Sequence, residues 1–227
     1  MNQWKKISFL LMAVSLLFAS GCMAGDKKEE VNMGMHVDLS MANNLSAMID
    51  QAPIIVLGEY QGMDRVENGA RNPKNPALPS ENTYHEVQVY RFQVDKVLKG
   101  ELDKENIEIG LAHKLQLQTD KDKKIEIKHP LYTKPQENKK YILFLNHPDS
   151  YTHYYTFPFS PHSILLDQKN IAHLVVPSLE LQKQRVETQD QIVHIHIDGF
   201  PSDYKDQISG KPLSTLFDLI HLETDRN

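Results

Sequence analysis

Eleven of the 227 residues are His. Imidazole both ligates metals and exchanges protons near neutral pH. His194 and His196 lie two residues apart in IVHIHIDGF. On an extended strand both rings project from one face, about 7 Å apart, with Asp198 following and Ile195 and Ile197 on the other face. Such a pair could share Zn²⁺ or Cu²⁺ if a third ligand joined it. Spacing supplies no third ligand, and the plainer reading, which we take, is the polar face of an amphipathic strand. His147 and His153 flank the turn-like HPDSYTH with Asp149 and pose the same choice. Met33, Met35 and His36 offer soft donors of the kind that hold Cu(I), or are incidental residues of a tether, the reading we prefer. His85, His113, His129, His162, His173 and His221 stand isolated. Tyr151, Tyr154, Tyr155, Phe157 and Phe159 form an aromatic cluster that would suit stacking on sugars or peptides if exposed, and core or edge packing if not.

Recognisable catalytic patterns are missing. There is no G-x-S-x-G, H-E-x-x-H or G-x-x-x-x-G-K-[ST], and His85-Glu86 lacks a second His four positions on. We therefore assign no catalytic residue, no metal ligand and no cofactor. The balance of 25 basic against 30 acidic side chains disfavours nonspecific nucleic-acid binding. One Cys excludes an intramolecular disulfide and a multi-Cys zinc site.

That Cys has a telling neighbourhood. Lys5 and Lys6 precede ISFLLMAVSLLFA at 7–19, in which 11 of 13 residues are apolar. The run falls short of the roughly 20 residues a spanning helix needs and suits a secretory signal. Ala19-Ser20-Gly21-Cys22 follows. This resembles the lipobox of bacterial lipoproteins, with Ala19 where that family usually has Leu. The resemblance implies cleavage before Cys22, a signal peptide over 1–21, and acylation of Cys22, which becomes the lipid attachment site. The alternative is an ordinary signal peptide cut near Ala24. Without residues 1–21 the chain carries 23 basic and 30 acidic side chains, a net −7, and no Trp. With acylated Cys22 it also has no thiol for nucleophilic catalysis.

Around these residues we expect mostly β-structure. Residues 22–38 read as the lipidated N-terminus and a flexible tether, and 39–222 as one mostly-β domain. A helix is expected over 39–51, capped by Ser40 and stopped by Pro53. IIVLGEY at 54–60 reads as a strand buried on both faces at its start. Residues 61–82, with three Pro and two Gly, read as a long loop. A long strand is expected over 83–98, with a bulge near Tyr90–Arg91 bringing Val87 and Val89 to the same core as Phe92 and Val94. Leu115 and Leu117, then Ile125 and Ile127, alternate around TDKDKK and predict a hairpin. YILFL at 141–145 is a central-strand candidate. Further strands are expected at 154–157, 164–166, 171–176 and 192–197. Leu213, Leu216, Phe217 and Ile220 repeat at helical spacing within a closing helix over 211–222.

Three segments carry a second resemblance: APIIVLGEYQG at 52–62, YRFQVDKVLKG at 90–100 and KKYILFL at 139–145. Together they are similar to a group of extracytoplasmic bacterial domains and to netrin-like modules, which include the tissue metalloproteinase inhibitors. The resemblance implies a five-stranded OB-like barrel. It carries no catalytic group, and the inhibitors' free N-terminal Cys amine has no counterpart if Cys22 is acylated.

The expectation is a mostly-β, OB-like (netrin-like) barrel or sandwich with short N- and C-terminal helices. It would be anchored by lipid on the extracytoplasmic face of the cell membrane and act as a non-catalytic binding module for an envelope or extracellular partner. Two alternatives stay open: a Zn- or Cu-binding lipoprotein using His194 and His196, and an envelope hydrolase whose site forms only on folding.

Overall fold

The structure, a computed structural model, describes residues 28–37, 40–42, 44–119, 123–199 and 206–225. The expected signal segment over 1–21 and Cys22 lie outside these residues. Among the described residues twelve strands and two α-helices follow one another: β1 (Glu29–His36), α1 (Leu45–Gln51), β2 (Ile54–Asn68), β3 (Arg71–Asn72), β4 (Asn75–Pro79), β5 (His85–Lys99), β6 (Asn106–Gln118), β7 (Lys124–Lys128), β8 (Lys140–Leu145), β9 (Ser163–Leu166), β10 (Ala172–Leu174), β11 (Lys183–Glu187), β12 (Gln191–Asp198) and α2 (Leu213–Thr224). Among the described residues no helix is long and apolar enough to cross a membrane.

The main sheet is antiparallel, in the order β10-β9-β8-β2-β5-β6-β7, and curls into a half-barrel. Both faces of its centre are buried, which explains why IIVLGEY and YILFL read as unbroken apolar runs. Ile54, Val56, Tyr141, Leu143 and Leu145 point inside the curl with Tyr90, Phe92, Ile107 and Ile109. Tyr60 packs there edge-on against Phe92, Tyr141 and Tyr90, ring centroids 5.0, 5.2 and 5.7 Å away. Ile55, Leu57, Ile142 and Phe144 face the other way, beneath Met48 and Ile49 of α1 and Leu216 and Ile220 of α2. Part of the open side of the curl is spanned by backbone. Tyr155 exchanges hydrogen bonds with Glu108 and Gly110 on the free edge of β6, and the Asn146 amide, just past β8, donates to Thr156.

A smaller sheet, β1-β12-β11, packs Val193, Ile195 and Ile197 against Ile125 and Ile127 of β7. Here the tether expectation fails. Residues 29–36 form a strand parallel to β12, with Val31 opposite Val193 and Met33 opposite Ile195. The segment looks polar because only alternate residues, among them Met33 and Met35, meet the apolar cluster.

The expected 61–82 loop is also corrected. β2 runs on to Asn68, paired with β5, and a two-stranded hairpin (β3–β4) follows. Extra residues at Gln61 and Asp64 on the β2 side of the ladder break the two-residue period that would mark a strand. Gly62 sits at φ 125°, a region that favours glycine. Asn68 then clasps the hairpin base: its carbonyl oxygen accepts from Ala70 and His85, and its amide donates to Ser80 and Thr83.

The bulge expected in β5 falls instead on its neighbours, β2 and β6. Val87 and Val89 therefore pack with Tyr154, on the opposite face from Phe92 and Val94. Helix α1 starts at Leu45, later than expected. Asn44, not Ser40, caps it, accepting from the Ala47 amide at 2.9 Å. The β6–β7 hairpin pairs Leu117 with Ile125 and Leu115 with Ile127, in the register the alternation predicts. Helix α2 uses the expected apolar face. Residues 154–157 form backbone bridges but no full strand.

Candidate functional site

His194 and His196 share one face of β12, half-buried and exposed, with Ile195 and Ile197 buried on the other. The tertiary surroundings are mixed, with Glu30 3.9 Å from His194 Nε2 and positive side chains across the ladder. Across the ladder His194 lies opposite Arg185 and His196 opposite Lys183, and each positive neighbour repels a metal. Asp198 is engaged by His36, whose Nδ1 lies 2.5 Å from its carboxylate. Among the described residues no group of three or more His, Cys, Asp or Glu gathers where a metal ion would sit. Met33 and Met35 are partly buried against the small sheet's apolar cluster. His147 is exposed, and Asp149 uses one carboxylate oxygen to accept the amides of Tyr151 and Thr152, both at 2.7 Å, which shapes the turn.

A more enclosed cavity lies elsewhere among the described residues, where the start of β5, the middle of β6 and the segments 129–133 and 149–162 meet. It is a cleft of about 380 Å³, walled by Val87, Gly110, Leu131, Tyr154, Phe157 and Phe159. Gly110 makes it possible. A Cβ there would stand 2.3 Å from the Tyr154 ring, so only glycine lets that ring come this close to β6.

Three imidazoles that the sequence leaves isolated line this cleft: His85, His129 and His162. His85 and His129 stack at 5.8 Å with planes 18° apart. The Leu131 amide donates to His129 Nδ1 at 3.2 Å, so that nitrogen is an acceptor and the ring is held neutral. Desolvation, reinforced by the positive charge His85 can carry, lowers His129 to about 4. Desolvation also lowers His85, whose buried Nε2 has no hydrogen-bond partner. His162 stacks on Phe157 at 3.5 Å, and desolvation lowers it to about 3. At neutral pH the three rings are uncharged, polar-edged walls.

A hydrogen-bonded network braces the floor. His113 Nδ1 lies 2.5 Å from Glu86 and 2.9 Å from the Gln88 amide. The hydroxyls of Tyr132 and Tyr90 both donate to Gln88 Oε1, at 2.8 and 3.0 Å. Burial would raise the Glu86 pKa, but His113 and Lys114 hold it below the ordinary value, so its charge is matched by its neighbours. Burial raises Tyr132 well above the usual phenol range.

One part of this site is legible in the sequence after the fact. The hairpin register that puts Leu115 opposite Ile127 continues to Lys114 opposite Lys128, and the His129 amide then donates to the His113 carbonyl. Adding His85 needs the β5–β6 register, which slips by one residue at His113. The aromatic cluster is largely packing: Tyr154 and Phe159 are buried, Tyr155 and Phe157 half-buried, and Tyr151 exposed.

No protein-family model matches the chain, and neither a curated protein nor a solved structure does.

Proposed function

We propose that the protein is a lipid-anchored, extracytoplasmic binding module, held in the membrane by acyl chains on Cys22, whose OB-like barrel binds a small uncharged ligand in the cleft beside His85 and His129. The observation that carries this reading is the cleft itself. Its volume lies in the range of small-molecule sites. Its walls are apolar and aromatic, its imidazoles are desolvated and neutral, and the buried Nε2 of His85 lacks a partner that a ligand's polar group would supply. Asp149 is the one carboxylate among the lining residues, and its charge is answered by Arg71 and by two amides that donate to one of its oxygens. The anchor rests on the signal-like run and the Ala19-Ser20-Gly21-Cys22 sequence.

Ligand-observed NMR with phenol, indole and benzamide, set against benzoate and benzylamine, tests the cleft. The uncharged fragments should bind, and Ala112→Trp, which fills the cleft from β6, should abolish their signals. Equal binding by both variants, or preference for a charged fragment, would remove the reading. For the anchor, Cys22→Ser should shift the protein from the membrane fraction to the soluble one or leave it unprocessed.

A further inference from the structure

We infer that one end of the domain is a membrane-facing foot, built from the start of β1, the β11–β12 turn and the adjoining ends of β6 and β7 at Thr119 and Lys123, which holds the cleft away from the lipid. This rests on the proposed acylation of Cys22 and adds to it an orientation. The fold itself shortens the connection. β1 is already paired at Glu29, and Lys28 is pinned, its Nζ donating to the Thr188 carbonyl at 2.6 Å and to Glu187 at 2.9 Å. Only six steps of chain separate Cys22 from Lys28, a reach of at most about 20 Å when fully extended. A domain of this size cannot turn freely on so short a connection, so whatever surrounds Lys28 stays near the lipid headgroups.

Three further segments converge there. The Glu29 amide donates to the Asp190 carbonyl at 3.0 Å, which ties β1 to the β11–β12 turn. Lys123, just before β7, pairs with Asp190, and the Thr119 amide donates to the Lys123 carbonyl. Lys124 reaches the Asn82 carbonyl and brings in the loop before β5. Among the described residues, Lys28 pairs with Glu187 and Lys123 with Asp190. The short connection orients this face. The cleft lies away from this end. Along β6 from Thr119, the cleft begins at Leu115, which pairs with His85, four residues or roughly 13 Å away, and reaches Ala112, roughly 23 Å away. The β9–β10 turn around Lys169 sits at the opposite edge of the main sheet from β7.

Cys22 is the sole cysteine, and its thiol is blocked once acylated. A single introduced Cys therefore reports one position. The full-length protein carrying Lys124→Cys or Lys169→Cys would be labelled with a donor dye in vesicles of phosphatidylethanolamine and phosphatidylglycerol that carry a rhodamine headgroup lipid. Energy transfer from position 124 should exceed that from position 169 by about twofold or more, as the short reach demands. Inserting a 20-residue Gly/Ser stretch before Lys28 adds an average span of about 25 Å and should erase the difference. Equal transfer from both positions without the insertion, or stronger transfer from 169, overturns the foot and leaves the anchor standing. An N-terminus that mass spectrometry shows to be unacylated overturns both.

Discussion

His194–His196 and His85–His129 are two histidine pairs made from the same side chain in opposite ways. The first is a pair because of sequence: two residues apart on one strand, they share a face whatever else the chain does. The second is assembled from positions 44 apart by two strand registers, and it is stacked, desolvated and set in a cavity. The sequence pair faces outward between Lys183 and Arg185. The assembled pair lies where a buried nitrogen lacks a partner. Spacing along a chain thus marks a shared face, whereas a site also needs shelter, and shelter is a property of packing.

The contrast can be broken most severely at the cleft wall. Gly110→Leu places a side chain where the Tyr154 ring lies, and overpacking of this kind costs about 3 kcal/mol or more. Thermal unfolding should show a large loss of stability, whereas leucine at Gly34, beside the exposed pair and with open space around it, should be far milder.

Acid should separate the two regions next. The folded pKa values of His129, about 4, and His162, about 3, lie below the 6.5 of an unfolded imidazole. Above pH 6.5 neither state takes the proton, and stability is complete. Below it the unfolded chain binds protons that the folded cleft refuses, so stability falls as pH drops toward 4, on the order of a few kcal/mol by pH 5. Carboxylates remain largely ionised down to about pH 5, which isolates the imidazole effect. The variant His129→Gln with His162→Gln should flatten denaturant midpoints between pH 6.5 and 5. A slope unchanged from the parent would mean these rings are not sheltered.

A smaller effect is expected at the clasp that places His85. Asn68→Ala removes four hydrogen bonds, some to half-exposed groups, and should cost about 2 kcal/mol. It should also weaken fragment binding at the cleft. The smallest belongs to the sequence pair: His194→Ala and His196→Ala should each lie within about 0.5 kcal/mol of the parent. Retention of a full equivalent of Zn²⁺ by the parent, lost in these variants, would reverse the comparison.

Much of the frame was legible from local pattern. The Leu115–Ile127 hairpin, the buried run at 141–145, the alternation of β12 and the apolar stripe of α2 each depend on a period of two or about 3.6 that survives in the fold. The failures share a cause. β2 beyond Tyr60 hides its period behind repeated bulges, and β1 shows its apolar half only against Ile195 and Ile197, more than 160 residues away. Neither depends on local propensity, so neither could be read locally.

By itself, then, the sequence determined the strand-rich composition, the apolar N-terminal run before a single Cys, and which residues share a face along each strand. Only the tertiary structure decided that a polar-looking segment becomes a strand, that Gly110 makes room for Tyr154, and that three scattered imidazoles meet in one cleft. The physical reason is range: side-chain direction follows from the dihedral geometry of a few neighbouring residues, whereas desolvation depends on every surface that packs against a group, wherever in the chain it comes from.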